Sequence, residues 1–312
     1  MKMKRAITIP FLSILFVTGP GVLTSCSVTH ETKVSSRVTT RVVNISDGMT
    51  KLVSFVSADI EYRTGKPGIK IKGPEDEVNL IQVKQKGTTL ELSREDRDKN
   101  YRKFQGVQIE LSLPELNSIT LNGSGDVSAP SIVATTFDLK LLGSGDIEIG
   151  DVEANTVKIS SGGAGDISIG KITSPQVQIF SQGAGDIDLG NVSAASVDAT
   201  LQGAGDLTVK YLEASMVDLL LQGANDADLP KIEVSTLRAT VQGAGDLTVG
   251  GRAANARLTV QGAGGINASK LDADRVTRNE QGVGKIHLRT IRPRFCVDGY
   301  GSYPPALCRK GS

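Results

Sequence analysis

Seven aspartates recur every 20 residues, at Asp126, Asp146, Asp166, Asp186, Asp206, Asp226 and Asp246. Each closes a phrase whose commonest form is Gln-Gly-Ala-Gly-Asp, and each is followed by alternating aliphatic and polar residues. One residue is then lost, and Gly265 and Lys285 occupy the equivalent slots. Carboxylates at one per turn of a coil can do two kinds of chemistry. They can accept backbone N–H groups left open by a turn, or they can line up as oxygen ligands for a column of cations. Stacked ~4.8 Å apart, bare carboxylates repel by about 0.9 kcal/mol in bulk water, so something must offset the charge. We read each Asp as tying down its own turn, with the cation column as the alternative. The calcium repeat of toxin β-rolls, Gly-Gly-x-Gly-x-Asp, is a poor match, because here the Asp follows Gly directly and the period is not nine residues.

A second column comprises Gln182, Gln202, Gln222, Gln242, Gln261 and Gln281. Amides at one per coil can form a ladder that ties strands together; a sugar-binding row is the functional alternative. Catalytic inventory is thin. The two histidines are His30, near the N-terminus, and His287, in the last repeat. No Ser/His/Asp arrangement is suggested, and no cofactor is implied. The charge run from Arg94 to Lys103 reads as a solvated loop between strands.

The three cysteines divide by position. Lys2, Lys4 and Arg5 precede an apolar stretch from Ile7 to Val17 that is too short and too interrupted to span a bilayer. Leu23-Thr24-Ser25-Cys26 follows and resembles a bacterial lipobox, in which the Cys takes the lipid and becomes the mature N-terminus. Residues 1–25 are therefore expected to be a lipoprotein signal peptide. Residues 26–50 would be a lipidated tether running into a first strand at about Ser36–Val43. A multi-chain lipid anchor holds a protein stably at a membrane. Ser27 after the Cys fits sorting to the outer membrane, with the face undetermined. Cys296 and Cys308 remain as a pair, which in an oxidising compartment points to a disulfide. Their spacing matches no zinc signature.

The elements that must position these residues are strands. The chain is near-neutral (+1), which leaves no electrostatic footprint for nucleic acid. It has no Trp, 35 Gly and many Val, Ile and Thr, so an aliphatic, strand-built core is expected. Alternation begins near Leu52, with Val56, Ala58, Ile60 and Tyr62 on one face. It continues through Ile69 and Ile71, Ile81 and Val83, Leu90 and Leu92, and Val107 to Leu113. Gly73-Pro74 and Gly87-Thr88 mark turns between these strands.

Within a repeat, Ile147, Ile149, Val152, Val157 and Ile159 point inward, and Ile167, Ile169, Ile172, Val177 and Ile179 fill the same slots one unit later. Burying five aliphatics yields roughly 7–15 kcal/mol gross, whereas ordering the backbone of one unit costs about 20–40 kcal/mol. One unit cannot fold alone; its neighbours must supply the difference by stacking. Leu212–Leu221 could pass for a helix, but its counterparts could not, so strand is expected throughout, with no helix after the signal. Nine units share the first Gly of the phrase, from Gly123 to Gly282, which implies either positive φ or close approach between coils. The second Gly is replaced once, by Asn225, which implies a left-handed slot.

At these residues the chain resembles the auto-transporter adhesin head GIN domain family. The likeness rests on Leu116–Asp126 (Leu-Asn-Ser-Ile-Thr-Leu-Asn-Gly-Ser-Gly-Asp), on the recurring Gly-Ser/Ala-Gly-Asp units and on Gly264-Gly265-Ile266-Asn267. It implies an all-β, right-handed β-helix or β-solenoid on an exported Gram-negative protein. The repeat itself sets 20-residue coils over residues 51–290, and the loop-like tail 291–312, which matches no part of the family pattern, reads as a C-terminal cap. The resemblance carries no catalytic residues. The expected function is a non-enzymatic, envelope-anchored adhesion module whose partners are a membrane, through its lipid, and a cell-surface glycan or envelope protein. A polysaccharide-active β-helix enzyme is the alternative.

Overall fold

The computed structural model describes residues 37–95 and 106–288, with the backbone of 296–298 and 301–303. Short elements come first: β1 (Val38–Val43), β2 (Lys51–Ser54), β3 (Asp59–Thr64), β4 (Gly68–Pro74), α1 (Glu75–Leu80), β5 (Ile81–Lys86), β6 (Thr89–Arg94), β7 (Gln108–Leu113) and β8 (Ser118–Leu121). Eight long strands follow: β9 (Val127–Leu141), β10 (Ile147–Ser161), β11 (Ile167–Ser181), β12 (Ile187–Leu201), β13 (Leu207–Leu221), β14 (Ala227–Val241), β15 (Leu247–Val260) and β16 (Ile266–Glu280). A short β17 (Ile286–Leu288) ends the stack, and β18 (Cys296–Asp298) and β19 (Gly301–Tyr303) form a separate antiparallel pair. The fold is a β-solenoid of about nine turns, 69% strand and 2% helix.

Each long strand pairs in parallel with the next, 20 residues on: Ile147 lies opposite Val127 on one side and Ile167 on the other. In β10 the inward side chains are Ile147, Ile149, Val152, Ala154, Val157, Ile159 and Ser161. Strict alternation breaks twice, at residues 150–151 and at 155–156, where two outward residues follow one another. Those breaks bend the strand, and the glycine phrase supplies a third corner. Seven inward positions per coil exceed the five expected, because two hold small or polar residues, such as Ala154 and Ser161, that hydrophobicity alone does not flag. The inward residues merge into one mainly aliphatic cluster from Ile45 to Ile286, with Tyr62 and Phe137 its buried aromatics. Leu207–Leu221 is strand, as its aligned neighbours require.

The lost residue falls at a bend. Leu229 faces Val249 and Ile232 faces Gly251, so Pro230 and Lys231 together oppose Gly250. The tightened chain takes φ +108° at Gly251, where a Cβ would also collide with the Ile232 backbone. The closing coil differs in a second way. Arg278 and Glu280 occupy slots filled by Leu258 and Val260 one coil earlier, and both are exposed. Glu280 Oε1 accepts from Ile286 N–H at 2.9 Å. Charge at inward slots blunts a sheet end against further stacking.

Two expectations change in the N-terminal region. A helix does occur: α1 follows Pro74, with Glu75, Asp76 and Glu77 in its first turn, and Val78 anchors it in the core. Acidic residues complement the positive end of the helix dipole, so the segment after Gly73-Pro74 is a helical turn before the next strand. The stretch from Leu52 to Tyr62 is not one strand but two, β2 and β3, separated by residues 55–58. β2 lies between β6 and β8, all parallel, while β3 pairs with β7 and with the start of β9. β1 joins antiparallel to β4, and the Arg41 guanidinium donates to Ile81 O. β5 and β6 form an antiparallel hairpin over β2.

Candidate functional site

The aspartate column bonds between coils, which corrects the own-turn expectation. Asp126 Oδ1 accepts the backbone N–H of Asp146 at 2.9 Å, and the same link repeats up the stack through Asp166, Asp186, Asp206 and Asp226 at 2.7–2.9 Å. Asp246 Oδ1 accepts from Gly265 N–H, where the column ends because Gly265 has no carboxylate to offer. The backbone carbonyl of each Asp accepts from the preceding coil, as Asp146 O does from Val127 N–H at 2.9 Å. At this corner the backbone alone cannot carry the N–H ladder, and one methylene plus a carboxylate spans the gap. The donated N–H offsets part of the charge that stacking concentrates. Among the described residues no group of three or more metal-ligating side chains converges, so the geometry gives the cation alternative no support.

The column has an eighth member that sequence reading missed. Asp126 N–H donates to Asp59 Oδ1 at 3.1 Å, and Ser124 Oγ bonds Ser57 Oγ at 3.0 Å. Phe55-Val56-Ser57-Ala58-Asp59 is thus a degenerate copy of Asn122-Gly123-Ser124-Gly125-Asp126, one coil earlier in space and 67 residues earlier in sequence. The signal was present as Ser-x-Asp in register, but the excursion through β4 to β7 hides the period.

Glycine is required by close approach, the second of the two readings. A Cβ on Gly185 would overlap Gly165 O, and one on Gly123 would overlap Val56 O. Among the glycines of the phrase only Gly282 has positive φ. The left-handed slot inferred from Asn225 is therefore absent, since among the described residues no non-glycine has positive φ. Asn225 instead turns its fully buried side chain into the corner, where Nδ2 donates to Gly203 O at 3.2 Å and Oδ1 has no partner.

The glutamine ladder forms. Gln182, Gln202, Gln222 and Gln242 each donate Nε2 to the Oε1 of the next coil, ending on Gln261, at 2.8–3.1 Å. Gln281 is not joined to it. Cys26, Cys308, His30 and most of the charge run (residues 96–103) lie outside the described residues, as does the side chain of Cys296. His287 sits on β17. The outward faces carry continuous columns of side chains. One of them opens into a groove of about 460 Å³ across β12 to β16, lined by Ser193, Glu213, Ser215, Glu233, Arg252 and Asp274 among others.

The family described as "Putative auto-transporter adhesin, head GIN domain" matches over residues 48–223 and 207–292. The chain belongs to this family. Comparison with curated proteins gives no match. Among solved structures, a putative adhesin from Bacteroides fragilis is similar at 25% identity and TM-score 0.57, covering 82% of this chain and 98% of that one. Putative adhesins from Parabacteroides merdae (14% identity, TM-score 0.57) and Parabacteroides distasonis (15%, 0.56) each share 81% of this chain and 96% and 97% of their own. The last two bear on the fold alone. A head GIN solenoid is thus what the 20-residue period encodes, and the family description is that of an exported, cell-surface protein.

Proposed function

We propose that the protein is an envelope-anchored, non-enzymatic binding module, held at the outer membrane by lipid on Cys26, with its solenoid presented for adhesion to a cell-surface glycan or envelope protein. The observation that carries this reading is the outward surface. Eight long strands in parallel register present rows of side chains one coil apart, and such rows suit an extended ligand rather than a small enclosed substrate. Family membership supports the adhesive role, and the lipobox-like Leu23–Cys26 supports the anchor. Cys296 and Cys308 would close a loop beyond the last coil by a disulfide, worth roughly 3 kcal/mol.

Two measurements test the proposal. Cys26→Ala should abolish lipid labelling and move the protein out of the membrane fraction; unchanged fractionation would refute the anchor. The purified mature chain, offered solubilised envelope and glycan fractions, should retain a partner without altering it. Bond cleavage in a retained glycan, abolished by one acidic substitution, would replace the binding module with a polysaccharide-active enzyme.

A further inference from the structure

Two outward rows run side by side along the middle segment of each coil. In the first row Ser193, Glu213, Glu233 and Arg252 lie in register. The second row, two residues on, holds Thr135, Asn155 and Pro175 in the early coils, then Ala195, Ser215, Ser235 and Ala254. The change to small side chains lowers the floor from β12 onward, and the 460 Å³ groove lies over that stretch. It crosses about four coil steps of ~4.8 Å, roughly 19 Å.

The polar groups around it are crowded along one row. Glu213 and Glu233 are directly opposite one another, and like charges in that position destabilise a sheet. On its other side Glu233 lies opposite Arg252, though neither glutamate closes an ion pair among the described residues. Elsewhere on the stack an opposed pair does find compensation, as Asp218 does with Arg238 at 3.9 Å. At the rim, Lys231 Nζ lies 5.0 Å from the ring centroid of Tyr211. The Tyr211 hydroxyl is pushed above its usual pKa, first by desolvation, then by the charges of Glu233 and Glu213, and last by its hydrogen bond to Glu233, whose carboxylate keeps further lone pairs for a ligand. The groove therefore offers carboxylate acceptors, serine hydroxyls that both donate and accept, and a guanidinium donor over a low floor. Its walls are sheet face, not sheet edge, so there is no unpaired backbone for a peptide strand to join. Stacked glutamates oppose phosphate, uronate and nucleic acid.

We propose that this groove binds an uncharged oligosaccharide lying along the solenoid axis, with Glu213 and Glu233 accepting from adjacent sugar hydroxyls and Arg252 donating to ring or hydroxyl oxygens. A pyranose ring is about as long as one coil step, so successive sugars meet successive coils. The assignment rests on the binding-module reading and names its site and ligand class.

The test uses the mature chain on an array of neutral oligosaccharides (glucan, mannan and galactan fragments) and anionic ones (polygalacturonate fragments), followed by titration of the retained sugar. Wild type should hold neutral sugars, with or without chelator. The double variant Glu213→Ala/Glu233→Ala should weaken binding at least tenfold, and Arg252→Ala should also weaken it. Asp198→Asn, on another outward row, should change nothing. Both glutamates are exposed, and the repulsion lost with them offsets the lost contacts of Glu233 with Tyr211 and Arg252, so the double variant should melt close to wild type and lost binding cannot be ascribed to unfolding. Neutral-sugar binding untouched by the groove variants would overturn the assignment but keep the binding module. Retention of anionic sugars alone, or of an envelope protein alone, would do the same. Binding abolished by chelator would make the glutamates cation ligands and overturn the role given to them. Retention of nothing from sugars or envelope fractions would remove both readings.

Discussion

The first corner of the stack and the corners that follow it solve one problem with different residues. At Gly185 a Cβ would overlap the Gly165 carbonyl, and the same collision recurs at almost every glycine of the phrase. At the first corner the same two slots hold Val56 and Ala58. What lies on their far side is not another corner but the β6 hairpin strand, whose Leu92 O accepts from Phe55 N–H at 2.9 Å. Glycine is thus demanded by the coil underneath, not by the backbone conformation of the corner itself. A coil with no corner beneath it can carry side chains there and use them as core, and Val56 and Ala58 are both buried.

The largest predicted effect breaks this comparison directly. Gly185→Ala forces a methyl into the Gly165 carbonyl, and separating two coils disturbs several ladder bonds at once. We expect a loss of about 3–5 kcal/mol, at the upper end for single substitutions. The reciprocal change, Ala58→Gly, removes one buried methyl and adds chain entropy, and should cost about 1 kcal/mol. Urea unfolding midpoints compare the two. Equal costs would mean that corner conformation, rather than stacking, sets the glycine requirement.

The next effect concerns what the carboxylates hold. Asp186→Ala leaves Asp206 N–H without its acceptor, at a cost of about 1 kcal/mol given that water can reach the exposed site. Asp186→Asn keeps an oxygen in place and relieves repulsion from Asp166 and Asp206, so it should stay within about 0.5 kcal/mol of wild type. Amide exchange locates the loss. In the alanine variant the Asp206 amide should exchange faster while the Asp186 amide, still bonded to Asp166 Oδ1, should not. Faster exchange at Asp186 alone would restore the own-turn reading. Chelator should leave the melting temperature unchanged; a calcium-dependent rise lost in both variants would restore the cation column.

How much of this was legible depended on whether neighbours in space were also periodic in sequence. The nine-unit phrase announced the solenoid, and the inward aliphatics Ile147 to Ile159 announced its core. The Asp59 corner was hidden because residues 60–117 leave the period and because its glycine slots are filled. The direction of the Asp bond was hidden for another reason. An acceptor serving its own turn and one serving the next coil leave the same spacing in the sequence. The small residues Ala195, Ser215, Ser235 and Ala254 became a groove floor only once register aligned them. Asn225 misled because a buried, donating Asn and a left-handed Asn look alike in one sequence.

The smallest effect compares early and late coils at the glutamine slot. From Gln182 to Gln261 the amides form a ladder, yet the same slot holds Asn122, Leu142 and Gly162 in the earlier coils, and the parallel register there is unbroken. A bond that neighbouring coils do without, and that is exposed, cannot hold the stack together. Gln222→Ala removes two such bonds, to Gln202 and to Gln242, and should cost no more than about 0.5 kcal/mol. The opposite change is more informative. A Cβ at Gly162 would meet only the end of the Leu142 side chain, at 3.3 Å, which can move aside. Gly162→Gln would extend the ladder by one amide onto Gln182 and reduce the entropy of the unfolded chain, for a gain of about 0.4–1 kcal/mol. If Gln222→Ala instead cost several kcal/mol, the ladder would be a primary element of the stack, and the early coils would have to be held by something the late coils lack. The candidate would then be the exposed Leu142, which lies in the same slot, and Leu142→Gln would be the next measurement.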